Sequence, residues 1–280
     1  MYSRRFPYSL RTMKNQISKQ RSLLLTAFLA LMTFGTVSAA NTILDETDMT
    51  GVSFWIATAM MLASTVFFIM ERNNVAAKWK TSMTVAALVT GIAWYHYTYM
   101  RDHWNMTGES PLVLRYVDWL ITVPLQVSEF YLILAAIGVA SAALFWRLFG
   151  ASLVMLVAGF LSESSDSIDA ISSSMEWPLF IVGVLAWAYI IYELWAGEAK
   201  ENVSGASEGT QFAFKAMAII LTVGWAIYPL GWILGQDAGD SGIENLNILY
   251  NIADVVNKTA FGMMVWYAAT MDTKASSSEE

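Results

Sequence analysis

Two stretches of this apolar chain carry ionisable side chains at helical spacing. The first, RYVDWLITVPLQVSEF, contains Arg115, Asp118 and Glu129, and the second, LNILYNIADVVNKTAFG, contains Asp254 and Lys258. A charged side chain at the centre of a bilayer costs at least about 2.5 to 3.5 kcal/mol, so such residues usually pair with one another or serve a pathway. These five residues are therefore the first candidates for chemistry.

Asp254 and Lys258 are four residues apart, which places them on one face of a helix. One interpretation is an ion pair that only offsets its own cost of burial. The other is a lysine that forms an imine with a carbonyl ligand, because an imine cation removed from water needs an anionic counter-ion. Ionisable residues inside a membrane are more often functional than not, which favours the second interpretation.

Asp118 and Glu129 are eleven residues apart, roughly 16 Å along a helix and close to three whole turns. They project to the same side but are too far apart to share a proton. The apolar neighbours Leu125, Phe130 and Leu132 disfavour a charge on Glu129, which predicts a protonated acid able to donate its proton. The alternative is a glutamate that extends to the membrane surface.

Thr122 and the histidines offer weaker signals. Thr122 lies one turn from Asp118, where its hydroxyl could bond either that carboxylate or a helix carbonyl. The chain has no cysteine, and its two histidines, His96 and His103, have no metal-ligand spacing. The sequence therefore predicts neither thiol chemistry nor a metal site.

The composition is that of a membrane protein. Of the 280 residues, 56% are hydrophobic and 14% charged, and the mean hydropathy is +0.47; soluble domains rarely combine such values. Seven segments are apolar and long enough to cross a bilayer as helices. We place them near residues 51–70, 81–100, 112–135, 142–162, 177–197, 211–235 and 245–271.

The first forty residues differ from the rest. A basic stretch precedes the apolar run SLLLTAFLALMTFGTVSAA, which predicts a signal peptide over residues 1–40, cleaved near Ala39 or Ala40. An uncleaved membrane helix is the disfavoured alternative, since the run is short and ends in small residues. Loss of the six leader cations would take the formal net charge from -7 to -13, which argues against nucleic acid as a partner.

Lysine and arginine positions predict the orientation. With the mature amino terminus outside, seven cations fall on the cytoplasmic side and only Arg101 falls outside, as the positive-inside rule requires. The chain is thus expected to hold a seven-helix transmembrane domain over residues 41–274 and a short polar cytoplasmic tail over residues 275–280. The expected location is a bacterial inner membrane.

Several strings carry a resemblance to a known family. RYVDWLITVP, EFYLIL, GWAIYPLG and NIADVVNKTAFG resemble the microbial rhodopsins, and GVSFW, ASTVFF, AKWKTS, YELWAGE and LNILYN resemble their proteorhodopsin branch. The similarity covers essentially all of the predicted mature chain. It implies an all-α membrane fold of seven helices around a retinal pocket.

The resemblance implies a role for each ionisable residue. Lys258 matches the lysine that binds all-trans-retinal covalently as a protonated Schiff base. Asp118 and Asp254 match the counter-ions, of which Asp118 is also the proton acceptor. Arg115 matches the arginine that stabilises their charge. Glu129 matches the acid that returns a proton from the cytoplasmic side.

Further positions match the family's accessory and pocket residues. His96 matches a histidine that pairs with the acceptor aspartate, although a lone histidine is otherwise more often an interface residue. Gln126 matches the position that holds leucine in green-absorbing and glutamine in blue-absorbing proteorhodopsins, which predicts a blue-absorbing pigment; the alternative is a buried glutamine that only finds a hydrogen-bond partner and leaves the colour unchanged. The remaining matches are aromatic or apolar pocket positions: Trp119, Met155, Trp225, Tyr228, Pro229 and Tyr250.

The activity implied by the resemblance is light-driven outward proton pumping, which is transport rather than enzymatic catalysis. Chloride and sodium pumps are disfavoured because they carry other residues at the positions of Asp118, Thr122 and Glu129. A light sensor with a slow photocycle is the alternative, and sensors commonly lack the acid at Glu129. A receptor or transporter without retinal is disfavoured by Lys258. The expected partners are retinal, the bilayer, protons and further copies of the chain.

Overall fold

The computed structural model describes residues 44–164, 172–236 and 239–278. The predicted signal peptide lies outside these residues. Each of the seven predicted spans is found as a helix. They are α1 (Met49–Glu71), α2 (Lys80–Thr107), α3 (Leu112–Ala136), α4 (Ala142–Glu163), α5 (Glu176–Trp195), α6 (Glu208–Gly235) and α7, which comprises Asp240–Val255, a π-helical turn at Val256–Ala260, and Phe261–Ser278.

Local sequence signals set several helix ends. The Asp48 carboxylate accepts a hydrogen bond from the Gly51 backbone N–H at 2.8 Å and so caps the start of α1. Ser141 and Ser207 cap α4 and α6 in the same way. At the end of α2, Gly108 adopts a left-handed φ of 68°, which is the conformation that glycine tolerates best after a helix.

The helices form a closed ring in chain order. Each helix packs against the next, and α7 returns to pack against α1. The side-chain hydroxyls of Thr58, Ser64 and Ser128 donate to carbonyls four residues earlier in their own helices. Such bonds satisfy polar groups that would otherwise be costly in lipid. These three hydroxyls therefore find their partners within their own helices.

Five of the seven helices, α1, α3, α4, α5 and α6, lie in segments long and apolar enough to cross a membrane by length and composition alone, within the part of the chain described. α2 and α7 fall outside that criterion. They carry many of the polar side chains that face the interior, including Arg101, Asn247 and Asn251. The low apolar content of α2 and α7 is therefore explained by the polar side chains that these two helices place inside the ring.

Two π-helical turns interrupt the regular helices at the same level of the ring. One, Ile220–Gly224, lies in α6, and the other, Val256–Ala260, lies in α7; the two turns pack against each other. A π turn leaves backbone carbonyls free for other partners and often marks a functional site. Lys258 is in the second of these turns.

Candidate functional site

The Lys258 ammonium lies between two buried carboxylates. Its Nζ is 3.2 Å from Asp118 Oδ2 on α3 and 3.0 Å from Asp254 Oδ2 on α7. Both aspartates are 0% exposed and Lys258 is 3% exposed. Ion pairs removed from water are stable only when additional hydrogen bonds satisfy the charges. Asp118 from the first sequence stretch thus meets Asp254 and Lys258 from the second at one point inside the ring.

Asp254 receives several donors besides the lysine. The Tyr97 hydroxyl donates to its Oδ2 at 2.9 Å, the Trp119 indole N–H donates to the same oxygen at 3.4 Å, and the Tyr228 hydroxyl makes a short hydrogen bond to Oδ1. These donors come from α2, α3 and α6. Hydrogen bonds to a carboxylate favour its charged form, and these three donors therefore stabilise the Asp254 carboxylate.

Asp118 has a weaker set of neighbours. Its Oδ1 has no hydrogen bond of acceptable geometry in the described part of the chain, although His96 Nδ1 approaches it to 3.4 Å. That nitrogen lies closer to the Ile92 carbonyl, at 3.0 Å. The Thr122 hydroxyl donates to the Asp118 carbonyl at 3.0 Å and is 3.5 Å from its carboxylate. The Asp118 carboxylate therefore has fewer hydrogen-bond donors than that of Asp254.

Arg115 is held by amide side chains of α7. Its Nη2 donates to Asn247 Oδ1 at 2.9 Å and to Asn251 Oδ1 at 2.8 Å, and its Nη1 is 3.4 Å from the Tyr97 hydroxyl. Because Tyr97 in turn bonds Asp254, the guanidinium is linked to the counter-ion through one side chain. This arrangement places a fixed positive charge beside the carboxylates.

Gln126 bonds the lysine-bearing turn itself. Its Nε2 donates to the Asn257 backbone carbonyl at 2.8 Å. Asn257 lies in the π turn and directly precedes Lys258. The glutamine has found a partner in the interior, and it also forms part of the wall of the central cavity.

Glu129 is isolated in the interior. It is 1% exposed, so the alternative of a side chain that extends to the surface does not hold. Ser82 is a polar neighbour, but neither Glu129 oxygen has a hydrogen bond of acceptable geometry among the described residues. A carboxyl group in such surroundings is more stable protonated than charged.

A cavity inside the ring is lined in part by Lys258. Ligand pockets typically have mainly apolar, aromatic walls. Asp254 also lines the cavity, whereas Thr122 is not on its wall. All the other predicted pocket residues line it: Trp119, Gln126, Met155, Trp225, Tyr228, Pro229, Tyr250 and Lys258.

These residues fit the retinal that the sequence leads us to expect. The cavity has the aromatic walls that a polyene requires, with further aromatic side chains from Phe180, Trp187 and Trp232. A buried lysine between two carboxylates is part of its lining. Lys258 would hold the group, and Asp118 and Asp254 would balance the cation.

Several site residues were not predicted from the sequence. Tyr97, Asn247, Asn251 and Asn257 all bond members of the site. For two of them a signal existed, since positions 247, 251, 254 and 258 form a polar stripe at spacings of four, three and four. Tyr97 could not be chosen from the aromatic string AWYHYTYM.

Comparisons with known proteins agree with this geometry. The family described as Bacteriorhodopsin-like protein matches residues 48–271. The chain is 52% identical to the green-light absorbing proteorhodopsin of Gamma-proteobacterium EBAC31A08 over 252 residues, and 51% identical to the blue-light absorbing proteorhodopsin of Gamma-proteobacterium Hot 75m4 over 253 residues. Each alignment covers 90% of this chain and 97% of the relative.

Solved structures give the same result. The blue light-absorbing proteorhodopsin from Med12 superposes with a TM-score of 0.66 at 50% identity, covering 80% of this chain and 100% of that one. Xanthorhodopsin, a light-driven ion pump with a dual chromophore, superposes with a TM-score of 0.73 at 27% identity, covering 82% and 95%. These neighbours are microbial rhodopsins, which have seven transmembrane helices.

Proposed function

Because the chain belongs to the bacteriorhodopsin-like family, we propose that it is a light-driven pump that moves protons outward across a bacterial inner membrane. Family membership implies retinal bound covalently to a lysine, and we assign that lysine as Lys258. When bound there as a protonated imine, retinal supplies visible absorption, a light-driven change of shape and, on excitation, a shift of positive charge away from the nitrogen.

The observation that carries the proposal is the unequal environment of the two carboxylates beside Lys258. Asp254 accepts hydrogen bonds from two tyrosines and one tryptophan, whereas Asp118 accepts a single long one, from Thr122 to Oδ2, and its Oδ1 has none among the described residues. A carboxylate with fewer donors binds a proton more readily. The proton on Lys258 Nζ therefore passes to Asp118, while Asp254 remains an anion.

Glu129 supplies the replacement proton. It lies eleven residues along α3 from Asp118, on the other side of the lysine level, and its burial keeps it protonated at rest. Asp118 and Glu129 thus act on opposite sides of Lys258. With the amino terminus outside, as the lysine and arginine positions favour, Asp118 faces outward and Glu129 faces the cytoplasm.

Illumination of cells in unbuffered medium tests the function. We expect the medium to acidify in the light, to recover in the dark, and to show no change when an uncoupler makes the membrane permeable to protons. A light sensor would absorb visible light without acidifying the medium. A receptor or transporter without retinal would show no visible absorption band after reconstitution.

Glu129→Gln should slow the return of a proton to the Lys258 nitrogen by about 100-fold, because a positioned acid typically contributes that much to proton transfer. The absorption maximum should stay nearly unchanged, since the replaced group is distant from the lysine. Flash absorption spectroscopy measures the rate. The matched control is Glu201→Gln, which changes an exposed acid; an unchanged rate in Glu129→Gln would show that the proton comes from another group.

Gln126→Leu should shift the absorption maximum to longer wavelength while light-driven acidification persists. The amide dipole at the cavity wall stabilises the resting charge near Lys258 more than the displaced charge, which widens the energy gap. Both spectra are recorded at the same alkaline pH. A variant spectrum that overlays the parent spectrum would remove Gln126 from colour tuning.

A further inference from the structure

Asn257 joins three helices at the lysine-bearing turn. It directly precedes Lys258, is 2% exposed and lines the cavity. Its side-chain Nδ2 donates to the Gly224 carbonyl at 3.1 Å and to the Tyr228 hydroxyl oxygen at 3.2 Å, both on α6. Its backbone carbonyl accepts from Gln126 on α3. The mechanism above assigns no role to this side chain.

The π turn of α6 fixes which way the Asn257 amide points. A carbonyl such as that of Gly224 requires a donor, and of the two polar ends of an amide only the nitrogen can donate. The amide oxygen is therefore directed elsewhere, and a Cβ added at Gly224 would collide with that oxygen. The orientation of the amide follows from hydrogen-bond chemistry rather than from packing alone.

The amide orientation in turn fixes the Tyr228 hydroxyl. A phenol has one hydrogen to donate, and it cannot be directed at Asn257 Nδ2, which is itself a donor. The Tyr228 oxygen must accept from Asn257, and its hydrogen must go to Asp254 Oδ1. The result is a chain of directed hydrogen bonds from Asn257 through Tyr228 to Asp254.

We propose that Asn257 is a positioning residue that fixes the direction of the Tyr228–Asp254 hydrogen bond and thereby directs the proton of Lys258 to Asp118 rather than to Asp254. This inference rests on the proposed function. It identifies a residue that determines which of the two carboxylates, Asp118 or Asp254, receives the proton. Without the amide, the Tyr228 hydroxyl is free to rotate, and Asp254 loses an obligatory donor. The two carboxylates would then compete more equally for the proton.

Other charged and titratable side chains around Asp254 have no hydrogen bond to the Asn257 side chain among the described residues. They are Tyr97 on α2, Arg115 and Asp118 on α3 and Lys258 on α7. Tyr228 on α6 is the group that bonds both Asp254 and the Asn257 side chain. A change in the protonation of Asp254 in an Asn257 variant is therefore attributable to the lost amide.

The first test measures the Asp254 carboxyl directly in the dark protein by carbon-13 NMR, with Asp254→Asn to assign the signal. In Asn257→Ala we expect Asp254 to take up a proton at higher pH than in the parent. Tyr228→Phe should produce a similar change, and the double variant should go no further than Tyr228→Phe alone. An unchanged Asp254 signal in Asn257→Ala, or additive effects in the double variant, would overturn the proposal.

Asn257→Leu repeats this measurement with a side chain of similar shape that lacks the donor, so that loss of packing is not mistaken for loss of the hydrogen bond. It should behave as Asn257→Ala does. A Leu variant with parental Asp254 behaviour would assign the effect to packing and overturn the proposal. Gly224→Ala checks the contact itself, because its clash with the amide should be relieved in Gly224→Ala/Asn257→Ala.

The second test asks where the proton goes. With Asp118→Asn, light should release no proton from the Lys258 nitrogen, whereas Asp118→Asn/Asn257→Ala should regain part of that release because Asp254 can now accept. Flash absorption spectroscopy follows the release of the proton from the Lys258 nitrogen. Equal release in the single variant and the double variant would overturn the proposal. The NMR result does not depend on pumping, so failure of the proposed function and failure of this inference are distinguishable.

Discussion

Lys258→Ala should remove the visible absorption band completely. Lys258 is the one lysine that is buried among the described residues, and it lines the cavity and lies between Asp118 and Asp254. Alanine offers no amine for a covalent bond to retinal. Absorption spectroscopy after reconstitution with retinal measures the loss, and acid denaturation checks for any covalent adduct.

The matched control is Lys215→Ala, which removes an exposed lysine from α6 and should leave the band unchanged. Both variants should be expressed and purified in the same way, so that yield and folding can be compared. A retinal adduct that survives denaturation of the Lys258→Ala protein would show that another amine holds the group. The assignment of the site would then be wrong.

Asp118→Asn should reduce light-driven proton movement by at least about 100-fold, because it removes the proposed acceptor and leaves Asp254 with its own donors. The band should also move to longer wavelength, since the Lys258 nitrogen loses a negative charge at 3.2 Å. Illuminated vesicles with a pH electrode measure the first effect, and a dark spectrum measures the second.

Asp45→Asn provides the control for this experiment, since Asp45 is an exposed acid that precedes α1. It should pump and absorb as the parent does. Rapid pumping by Asp118→Asn would mean that the unequal environment of the two carboxylates does not select the acceptor. In that case Asp254 or another group would have to receive the proton.

The sequence predicted those parts of the site that depend on positions within one helix. The spacing of Asp254 and Lys258 placed them on one face, and their nitrogen and oxygen atoms are 3.0 Å apart. The seven spans also followed from apolar runs bounded by polar connectors, and each is a helix. Both features depend on residues that are close together in the chain, so residue spacing and composition are enough to predict them.

Partners that come from other helices could not be predicted in this way. Tyr97 and Tyr228 both bond Asp254, but the sequence contains 12 tyrosines and gives no rotation or depth for each helix. The bond from Gln126 to the Asn257 carbonyl depends on a π turn, which has no composition signal comparable to that of an amphipathic helix. Packing between helices decides these contacts.

The π turn at Val256–Ala260 also limits how this gene can change in length. An α-helix turns by about 100° per residue, and a π turn accommodates one residue more than an α-turn does. Deletion of one residue there would leave an ordinary α-turn, and Trp266, whose indole N–H donates to Glu71 on α1 at 2.8 Å, would still face its partner, but the widened turn that holds Lys258 would be lost. Deletion of a residue from the regular part of the helix would instead rotate everything after it by about 100°. Natural and engineered variants should therefore tolerate substitutions between Asp254 and Trp266 far better than insertions or deletions.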